Sequence, residues 1–442
     1  MSSGPNIVRD GLVFHYDLSD GKSFAGEPTT NYIYHQNPRI DGTYTPFIPY
    51  DGTGNMTVNH PQGIRVYNTD NNDISWYVNT GISVANSGVA WENARHAYWI
   101  YDNDLKKPVV QMYDAIGTWQ AKYLGSNMNA WSTYGMTVGS QYTISWLQWT
   151  TNTSKFANVG FYSKDLTNNW NFWDGLSSGV STTINTKTHT WERMYHTFTV
   201  SASRDLNNPD SNVYFYNGGA SSNSLRIADV QLELKNHPTK FSPTLTRSST
   251  QGLFDRTRNH TSIDLSNVSF NSSGKMTFDG SNDYITFSPG PSFTNNVTWS
   301  CWFKTSTQQT NRYLLAMAKN LSGNNGLDLC FQGGDVASYI VGPTSFIYLN
   351  HPTNYYNNQW HMLTVTYNGA NAVLYYDGVA VNSGPFTQLI DIEATRKFNI
   401  GSWANNGSGI VGDIDIVQIY NRGLTASEVS QNYNSLRRKF GV

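Results

Sequence analysis

The chain has 442 residues and a net charge of −2, with 14% charged residues, 14% aromatic residues and 37 glycines. This length exceeds one core of common size, so two or three domains are expected. The near-zero net charge predicts no nucleic-acid binding, and no apolar run reaches the ~20 residues of a membrane-spanning helix, which predicts no membrane insertion. Few charges beside many aromatic, Asn, Ser and Thr residues indicate an all-β protein with long polar loops.

The N-terminus, MSSGPNIVRDG, lacks the basic start and the apolar run of a secretory signal peptide. We therefore expect the protein to stay in the cytosol where it is made, or to leave it by assembly or lysis. The two cysteines, Cys301 and Cys330, are expected to be buried free thiols rather than a disulfide, because Cys301 lies in the strand pattern TWSCWFK.

A strand is predicted near the start of the chain. In GLVFHYDLS, the residues Leu12, Phe14 and Tyr16 share one face with a period of two. A single strand cannot bury that face alone. We predict that this strand, within residues 1–28, pairs with a C-terminal sandwich and that residues 29–245 form a second domain inserted into the first. The alternative is an N-terminal arm that docks on a neighbouring subunit or on another protein.

The insert has strand patterns of its own, with Gly, Asn or Pro between them. They are YTISWLQW (142–149), NVGFYS (158–163), RMYHTFTVS (193–201), NVYFYN (212–217) and SLRIADVQLELK (224–235). Trp146 and Trp149 lie on the first of these strands and are expected in the core. The ending, ADVQLELKNHPTKFSPTLTRS, resembles the last strand and exit of carbohydrate-binding-module-like jelly rolls in phage tail and fibre proteins. The resemblance implies a second jelly roll over residues 29–245.

Residues 246–442 are predicted to form an antiparallel sandwich, with strands around an Asp-Gly turn at 275–287 and another at 412–420. Five motifs follow in order: FDGSNDYITF, WHMLTVTYNG, LYYDGVAV, FNIGSW and GDIDIVQIYNRGLTASEV. Together they resemble the concanavalin A-like (laminin-G-like) jelly roll. The closing run, IYNRGLTASEVSQNYNSLRRKFGV, resembles the version carried by virion proteins of tailed bacteriophages. The resemblance implies an all-β fold of two jelly-roll domains.

A helix is predicted over residues 425–440. Thr425 and Glu428 have the spacing of a capping box. The apolar residues that follow share one face: Val429, Tyr433, Leu436 and Phe440. The basic residues of the last turn are Arg437, Arg438 and Lys439. We expect this basic terminus to be solvated and matched to the helix dipole; the alternative is a site for phosphate or a partner.

The acidic strand Asp413-Ile-Asp415-Ile-Val-Gln418 is a candidate catalytic strand, because glycosidases of the concanavalin A-like fold carry a Glu-x-Asp-x-x-Glu strand. Here aspartates stand at the first two positions and Gln418 stands where the general acid is expected. A glycosidase needs two carboxyl groups that flank the bond. The sequence therefore predicts no catalytic residue and no enzyme, with Asp413 and Asp415 as structural side chains.

Two Asx-rich stretches carry the oxygen ligands that calcium prefers. The first, residues 205–212, lacks the glycine and the terminal glutamate of an EF-hand, so an ordinary turn is favoured. The second contains Asp279, Asn282 and Asp283 at a predicted sandwich rim, where related folds bind calcium. An ordinary rim turn is the favoured interpretation there as well. No Cys/His set has zinc spacing. The sequence predicts no metal site and no cofactor.

Aromatic side chains are the remaining functional signal. Trp170, Asn171, Trp173 and Asp174 belong to a loop-like run with two indoles among amides and an acid. Sugars present apolar C–H faces and hydroxyl rims, so we predict a carbohydrate site at this run, with Trp403 of GSWANN as a further candidate. The alternative is that these tryptophans anchor a core or an interface.

These patterns and resemblances favour a bacteriophage virion protein, such as a fibre, tail or head-surface appendage. It would bind host-surface polysaccharide without catalysis and gain strength from many copies on one particle. One alternative is a purely structural decoration or adaptor that packs only against other virion proteins. Another is a polysaccharide depolymerase, which needs a carboxylate pair that the sequence does not supply. A homo-oligomer is expected, with a trimer as the state borrowed from fibre proteins.

Overall fold

The structure is a computed structural model of the chain. It describes residues 6–30, 39–41, 65–67, 97–112, 120–123, 132, 135–152, 156–173, 185–207, 212–218, 225–242, 246–271, 274–287, 295–318, 325–390, 398–403 and 407–442. The chain divides into two compact units. The first unit combines Met1–Pro28 with Arg247–Val442, and the second unit is Thr29–Thr246.

Most of the described residues form strands, which confirms the prediction of an all-β protein. In chain order the strands up to the end of the second unit are β1 (Leu12–Asp17), β2 (Thr29–Thr30), β3 (Arg39–Asp41), β4 (Arg65–Tyr67), β5 (Ala97–Asp102), β6 (Lys107–Met112), β7 (Gln120–Tyr123), β8 (Gln141–Thr150), β9 (Phe156–Lys164), β10 (Trp170–Trp173), β11 (Glu192–Thr199), β12 (Asn212–Gly218), β13 (Leu225–Glu233) and β14 (Thr246–Arg247).

The rest of the first unit continues with further strands and a closing helix. These are β15 (Ser269–Phe270), β16 (Met276–Asp279), β17 (Ile285–Phe287), β18 (Asn296–Lys304), β19 (Arg312–Ala318), β20 (Asn325–Gln332), β21 (Asp335–Val341), β22 (Phe346–His351), β23 (Trp360–Asn368), β24 (Asn371–Tyr376), β25 (Val379–Pro385), β26 (Phe398–Ile400), β27 (Val411–Tyr420) and α1 (Ala426–Phe440).

The first unit is a sandwich of two antiparallel sheets. The front sheet has the order β15-β16-β27-β18-β23-β24-β25 among the described residues, and β1 pairs with β27 beside β16. The back sheet has the order β17-β26-β19-β20-β21-β22. In the front sheet, β1 runs antiparallel to β27 from Leu12 opposite Tyr420 to Asp17 opposite Ile416. The first strand of the chain and the last one are therefore neighbours.

The core of the first unit lies between the two sheets, because alternate side chains of every strand point inward. Members of this core that are fully buried are Phe14, Trp299, Cys301, Leu315, Leu329, Val336, Phe398 and Val417. Burial of one large apolar side chain contributes roughly 1.5–3 kcal/mol to folding. Phe14 of β1 stacks on Phe287 of β17 with ring centroids 4.5 Å apart, so the first strand contributes to the same core.

The outer edge of β1 is covered by the segment that follows the second unit. The Arg256 amide donates to the His15 carbonyl (2.8 Å), and the Asn259 side chain donates to the Val13 carbonyl (2.7 Å). The His15 amide in turn donates to a carboxylate oxygen of Asp255 (3.1 Å). An uncovered strand edge would offer its backbone groups to other chains. These contacts prevent that at β1.

The predicted helix is confirmed, with both of its caps. The Thr425 and Glu428 side chains form the capping box, and Gly441 takes the left-handed conformation (φ 71°) that ends the helix. Helix α1 packs on the outer face of the front sheet. There the Trp302 ring stacks on Tyr433 and Phe440, with centroids 5.5 and 4.5 Å apart.

At the basic end of this helix, Arg437 and Arg438 are exposed, as predicted, but Lys439 forms ion pairs. The Lys439 ammonium contacts the carboxylates of Asp17 (2.5 Å) and Asp415 (2.8 Å) and is only 23% exposed. The reason is the pairing of β1 with β27, which brings two carboxylates together under the last helical turn. A single lysine ammonium contacts both of them.

Both cysteines are buried free thiols, as predicted. Cys301 lies on β18 of the front sheet and Cys330 on β20 of the back sheet. Burial raises the pKa of each thiol above its ordinary value, so both stay protonated.

Among the described residues, the second unit contains two larger antiparallel sheets besides the β3-β4 pair. One has the order β11-β8-β13-β6-β5, and the other has the order β10-β9-β12-β7. Trp146 and Trp149 on β8 are buried, as predicted. The Glu233 carboxylate at the end of β13 is fully buried and accepts hydrogen bonds from Thr29 (2.6 Å) and from the Thr239 amide (2.8 Å). The likeness of this unit to carbohydrate-binding modules stays a prediction.

Candidate functional site

The run that contains Trp170 and Trp173 is a strand rather than the predicted loop. Strand β10 pairs antiparallel with residues 161–164 of β9. Aromatic residues favour strands, which explains the difference. The turn lies just before it, where Asp165 accepts hydrogen bonds from the amides of residues 167 and 169 (2.8 and 2.9 Å). Asp174 lies outside the described residues, so a sugar site formed by Trp170, Asn171, Trp173 and Asp174 stays a prediction.

Trp403, the other predicted site residue, lies in the loop between β26 and β27 and is half-buried. Its backbone carbonyl accepts a hydrogen bond from the Asn399 side chain (2.9 Å), and its amide donates to the Gly407 carbonyl (3.2 Å). The indole stacks against Tyr313 of β19, with ring centroids 6.1 Å apart and planes at 30°. These contacts place Trp403 beside the outer face of the back sheet.

Strand pairing shows which side chains form that outer face. Tyr313 pairs with Cys330, Cys330 with Ala337, and Ala337 with Asn350, in a row across β19, β20, β21 and β22. The alternate residues on the same strands, such as Leu329, lie in the core between the sheets. The four residues of the row therefore point away from the core. Cys330 and Ala337 are nevertheless fully buried, so the middle of the row is covered and only its two ends, Tyr313 and Asn350, are partly exposed.

Three aromatic rings lie together on the outer face of the β21–β22 hairpin. Tyr339 and Tyr348 are directly opposite each other, with ring centroids 4.6 Å apart. Phe346 is the first residue of β22. Its ring centroid lies 5.9 Å from that of Tyr339, and it is 62% exposed. Tyr339, Tyr348 and Phe346 are hereafter the hairpin aromatic group. A large apolar ring this exposed, beside the stacked Tyr339 and Tyr348, is a surface on which a ligand can stack.

Polar side chains stand beside the hairpin aromatic group. The Asn350 side chain donates to a carboxylate oxygen of Asp335 (2.8 Å) across the same two strands. The Asp328 carboxylate is fully buried and accepts a hydrogen bond from the Tyr339 amide (2.9 Å). Burial, followed by the nearby Tyr339, raises the pKa of Tyr348 to about 12. Its hydroxyl therefore stays protonated at neutral pH and can both donate and accept a hydrogen bond.

This combination suits a neutral hydroxylated ligand. Rings such as Phe346 and Tyr348 can stack on the apolar C–H face of a sugar, and the Asp335–Asn350 pair can exchange hydrogen bonds with its hydroxyl groups. All these residues lie on paired strands, so the site is formed by rigid elements.

The sequence interpretation missed the hairpin aromatic group, although a signal was present. In SYIV and SFIYLNH, aromatic residues alternate with Ile340, Ile347 and Leu349 with a period of two. Each strand of this hairpin thus has an aliphatic face for the core and an aromatic face opposite to it. The sequence analysis placed candidate sugar sites at tryptophans and therefore did not include this aromatic face of tyrosine and phenylalanine.

The acidic strand of β27 is occupied by ion pairs. Asp413 contacts the Lys304 ammonium (3.1 Å), and Asp415 contacts Lys439 (2.8 Å). Burial raises the pKa of Asp415 despite its lysine partner. Burial is the largest single influence on the pKa of Asp17 and would raise it, but the hydrogen bond and charge of Lys439 together with the hydrogen bonds from Ser19 lower that pKa overall. Gln418 is fully buried on the same face of the sheet, where helix α1 packs. This strand presents its carboxylates to lysines.

The rim aspartates accept hydrogen bonds from backbone amides. Asp283 is buried and accepts hydrogen bonds from the amides of Ser269 (2.9 Å) and Asp279 (2.8 Å). Asp205 of the other Asx-rich stretch accepts from the Asn207 amide (2.9 Å), which is the arrangement of an ordinary turn. Within the part of the chain that the structure describes, no group of three or more Asp, Glu, His or Cys side chains could hold a metal ion.

Among the described residues, no helix is both long enough and apolar enough to cross a membrane.

Comparison with solved structures gives distant matches to toxin binding domains. The binding domain of Paraclostridial Mosquitocidal Protein 1 is 19% identical, with a TM-score of 0.34, over 41% of this chain and 49% of that one. The binding domain of botulinum neurotoxin serotype G is 20% identical, with a TM-score of 0.34, over 41% and 48%. The binding domain of botulinum neurotoxin DC, solved with rat synaptotagmin II, is 15% identical, with a TM-score of 0.34, over 43% and 50%. The chain spans about half the length of these structures.

Comparison with curated proteins gives no match. Comparison with family models gives one match within the first unit. Residues 279–430, which include the hairpin aromatic group, Tyr313 and Trp403, match the family described as the concanavalin A-like lectin/glucanases superfamily.

Proposed function

We propose that this chain is a carbohydrate-binding protein that acts without catalysis, and that the outer face of the back sheet is a binding site. The observation that carries the proposal is the hairpin aromatic group beside Asp335 and Asn350. The match of residues 279–430 to a lectin and glucanase family supports the same chemistry.

Binding without catalysis is supported by the acidic strand. Asp413 and Asp415 are each paired with a lysine, and Gln418 has no carboxyl group to act as a general acid. Helix α1 packs over the same face of the front sheet, against Trp302 and Tyr420. Hydrolysis would need two carboxyl groups on either side of a bound glycosidic bond.

The biological setting that we propose is a tailed bacteriophage virion, with the protein as a fibre, tail or head-surface appendage that attaches to host-surface polysaccharide. The closing run from Ile419 to the C-terminus resembles phage virion proteins, and so does the leader that pairs with it as β1. The protein would be made in the host cytoplasm and would assemble with other virion proteins as a homo-oligomer. Many copies on one particle would strengthen weak individual sites.

The second unit contributes a further proposed sugar site at Trp170, Asn171, Trp173 and Asp174. Its support is the exit sequence ADVQLELKNHPTKFSPTLTRS, which resembles that of carbohydrate-binding-module-like jelly rolls. Two sites of modest affinity on one chain would act together on a long polysaccharide.

A glycan-array screen of the full chain, followed by analysis of any bound glycan for cleavage products, tests this function. We expect binding to a defined set of polysaccharides and no shortened product. Cleavage would overturn the non-catalytic assignment and favour a depolymerase. Absence of binding at high protein density would contradict the proposal and favour the purely structural virion component.

A further inference from the structure

We infer that the outer face of the β21–β22 hairpin selects sugars by charge, and that its preferred ligand is a polysaccharide whose units carry a free amino group. This inference rests on the proposed function and adds the chemical class of the ligand. Its basis is an unpaired carboxylate, that of Asp335, near the hairpin aromatic group. The rings and the Asn350 amide suit the neutral, hydroxylated parts of a sugar, and the carboxylate adds a preference for a positive substituent.

The Asp335 carboxylate differs from the carboxylates of β1 and β27. Asp17, Asp413 and Asp415 each contact a lysine ammonium. Asp335 accepts a hydrogen bond from the Asn350 side chain (2.8 Å), and among the described residues no lysine, arginine or histidine forms an ion pair with it. Asn350 thus holds one carboxylate oxygen in place, while the negative charge is left for a ligand.

The carboxylate and the rings lie at the edge of the back sheet, because β22 is its last strand. Asn350 is two residues from Tyr348 on β22, so these two side chains stand ~6.8 Å apart on one face. Asp335, Asn350 and Tyr348 are all partly exposed. The covered part of the outer face, at Cys330 and Ala337, belongs to β20 and β21. A ligand that lies along β22 therefore does not have to cross it.

The faces of the aromatic rings favour the same sign of charge. The centroids of Tyr339 and Tyr348 are 4.6 Å apart, and that of Phe346 is 5.9 Å from Tyr339. The π-electrons of such rings attract a cation that lies within about 6 Å of the centroid. A protonated amine on a stacked sugar would be attracted by the rings and by the Asp335 carboxylate, whereas both would repel the carboxylate of an acidic sugar.

The size of the expected preference follows from these two interactions. Each is modest at a partly exposed site, because water screens the charges. Together they should strengthen the binding of an amino sugar by on the order of tenfold, relative to the same sugar with a hydroxyl group in place of the amine.

A set of matched ligands tests the inference. The β-1,4-linked tetramers of glucosamine, glucose, N-acetylglucosamine and glucuronic acid share one backbone and differ in the charge of a substituent. Each would be titrated calorimetrically against the full chain at about pH 6, where the free amine is protonated. We expect the glucosamine tetramer to bind on the order of tenfold more tightly than the two neutral tetramers, and the glucuronic acid tetramer to bind most weakly. The preference should shrink as the salt concentration rises.

Three variants locate the charge preference. Asp335→Asn removes the charge but keeps the shape of the side chain, and should reduce the ratio of glucosamine to glucose affinity to less than about threefold. Asp10→Asn removes the same charge from a side chain of the first unit that is 87% exposed, and should leave that ratio unchanged. Val379→Ala changes a side chain that is 65% exposed on β25 of the front sheet, and should also behave like the unchanged protein. Thermal unfolding of each variant would show that the chain is folded.

The outcomes distinguish this inference from the proposed function. If the glucosamine tetramer binds no better than the glucose tetramer, if the glucuronic acid tetramer binds most tightly, or if Asp335→Asn keeps the full ratio, the charge preference is contradicted and carbohydrate binding still stands. The same holds if no tetramer binds but the glycan array is positive. If no tetramer binds and the glycan array is also negative, both are contradicted.

Discussion

Lys439 is the residue on which the closure of the first unit depends most directly. It places one ammonium between the carboxylates of Asp17 and Asp415, which are 17% and 18% exposed. Two carboxylates held at this spacing without a cation would repel each other in an environment that is largely shielded from water. The lysine therefore joins the last helical turn to the first and last strands of the chain.

Lys439→Ala should lower the free energy of unfolding by about 2 kcal/mol, because it leaves two partly buried carboxylates side by side. Urea unfolding at pH 7 measures this change. Arg438→Ala removes the same charge from the same turn, at an exposed position, and should alter the free energy by less than about 0.5 kcal/mol. Equal effects of the two variants would show that the contacts with Asp17 and Asp415 contribute nothing.

The Glu428 carboxylate, which forms part of the helix cap, makes the stability of the folded protein depend on pH. The hydrogen bond from Arg422, followed by those of Thr425, lowers the pKa of Glu428 from 4.5 to about 2. A lowered pKa in the folded protein stabilises it fully above the ordinary value of 4.5, and this contribution is lost as the pH falls toward 2. Glu428→Gln should therefore be less stable than the unchanged protein at pH 7, and the difference should shrink between pH 4.5 and pH 2. Urea titrations at several pH values would detect it, and a difference that is constant with pH would refute this assignment.

At the scale of elements, three parts of the first unit meet at one asparagine. The Val8 amide donates to the Asn432 side chain (2.8 Å), which donates to the Tyr420 hydroxyl (3.0 Å). That hydroxyl donates in turn to the Val8 carbonyl (3.0 Å). The leader segment, the last strand and helix α1 are thus joined by a closed set of buried hydrogen bonds, in which each removed partner leaves another unsatisfied.

Asn432→Ala should destabilise the first unit by roughly 1–3 kcal/mol, because the Val8 amide loses its acceptor in a buried place. Hydrogen exchange at the Val8 amide should become faster in this variant. Asn434→Ala is the matched control, since Asn434 is exposed on the same helix and donates to the Ser430 carbonyl (2.9 Å) and hydroxyl (3.3 Å) within it. Unchanged exchange at Val8 in Asn432→Ala would contradict the proposed role of Asn432.

Local signals in the sequence predicted some elements correctly and others wrongly. Helix α1 could be predicted with its caps because Thr425, Glu428 and Gly441 act through bonds within a few residues of the chain. The run at Trp170 was predicted as a loop because its amides suggested a turn, whereas its place in a strand depends on pairing with residues 161–164. The ion pairs of Lys439 join it to residues 422 and 24 positions away, so no local pattern indicates them.

The residues of the candidate site were likewise predicted only in part. Trp403 was selected from the sequence and lies beside the outer face of the back sheet, against Tyr313. The hairpin aromatic group was missed, although its period-two pattern was visible. A pattern alone cannot show that Tyr313 and Asn350 share one row, because that depends on the pairing of four strands.

At the scale of the molecule, the chain leaves the first unit and returns to it at adjacent points. The Ala25 amide donates to the Gly252 carbonyl (2.9 Å), and the Arg247 guanidinium donates to the Glu27 carbonyl (2.8 Å). The strand pattern at residues 12–18 already required a distant partner, and β27 supplies it. The first unit thus has its own core and closes across the point of interruption.

Replacement of residues 29–246 by a short Gly/Ser linker should leave the first unit folded, because its two ends are already held together and a short loop has a low closure entropy. The shortened chain should unfold in one cooperative transition in urea, with a β-type circular dichroism spectrum. Removal of residues 1–28 together with residues 29–246 also deletes β1, and this shorter chain serves as the comparison that should fail to fold. An unfolded shortened chain with β1 intact would contradict the independence of the first unit.

The most direct test of the central claim is the affinity of the full chain for its strongest array glycan after the hairpin aromatic group is truncated. Phe346→Ala combined with Tyr348→Ala removes two rings from the outer face. If each ring contributes as much to sugar stacking as to a pair of aromatic side chains, roughly 0.5–1.5 kcal/mol, the double variant should lose affinity by about 5- to 150-fold, and Val379→Ala should show no change, at the same melting temperature. Unchanged affinity in a folded double variant would contradict the assignment of the site to the outer face of the back sheet.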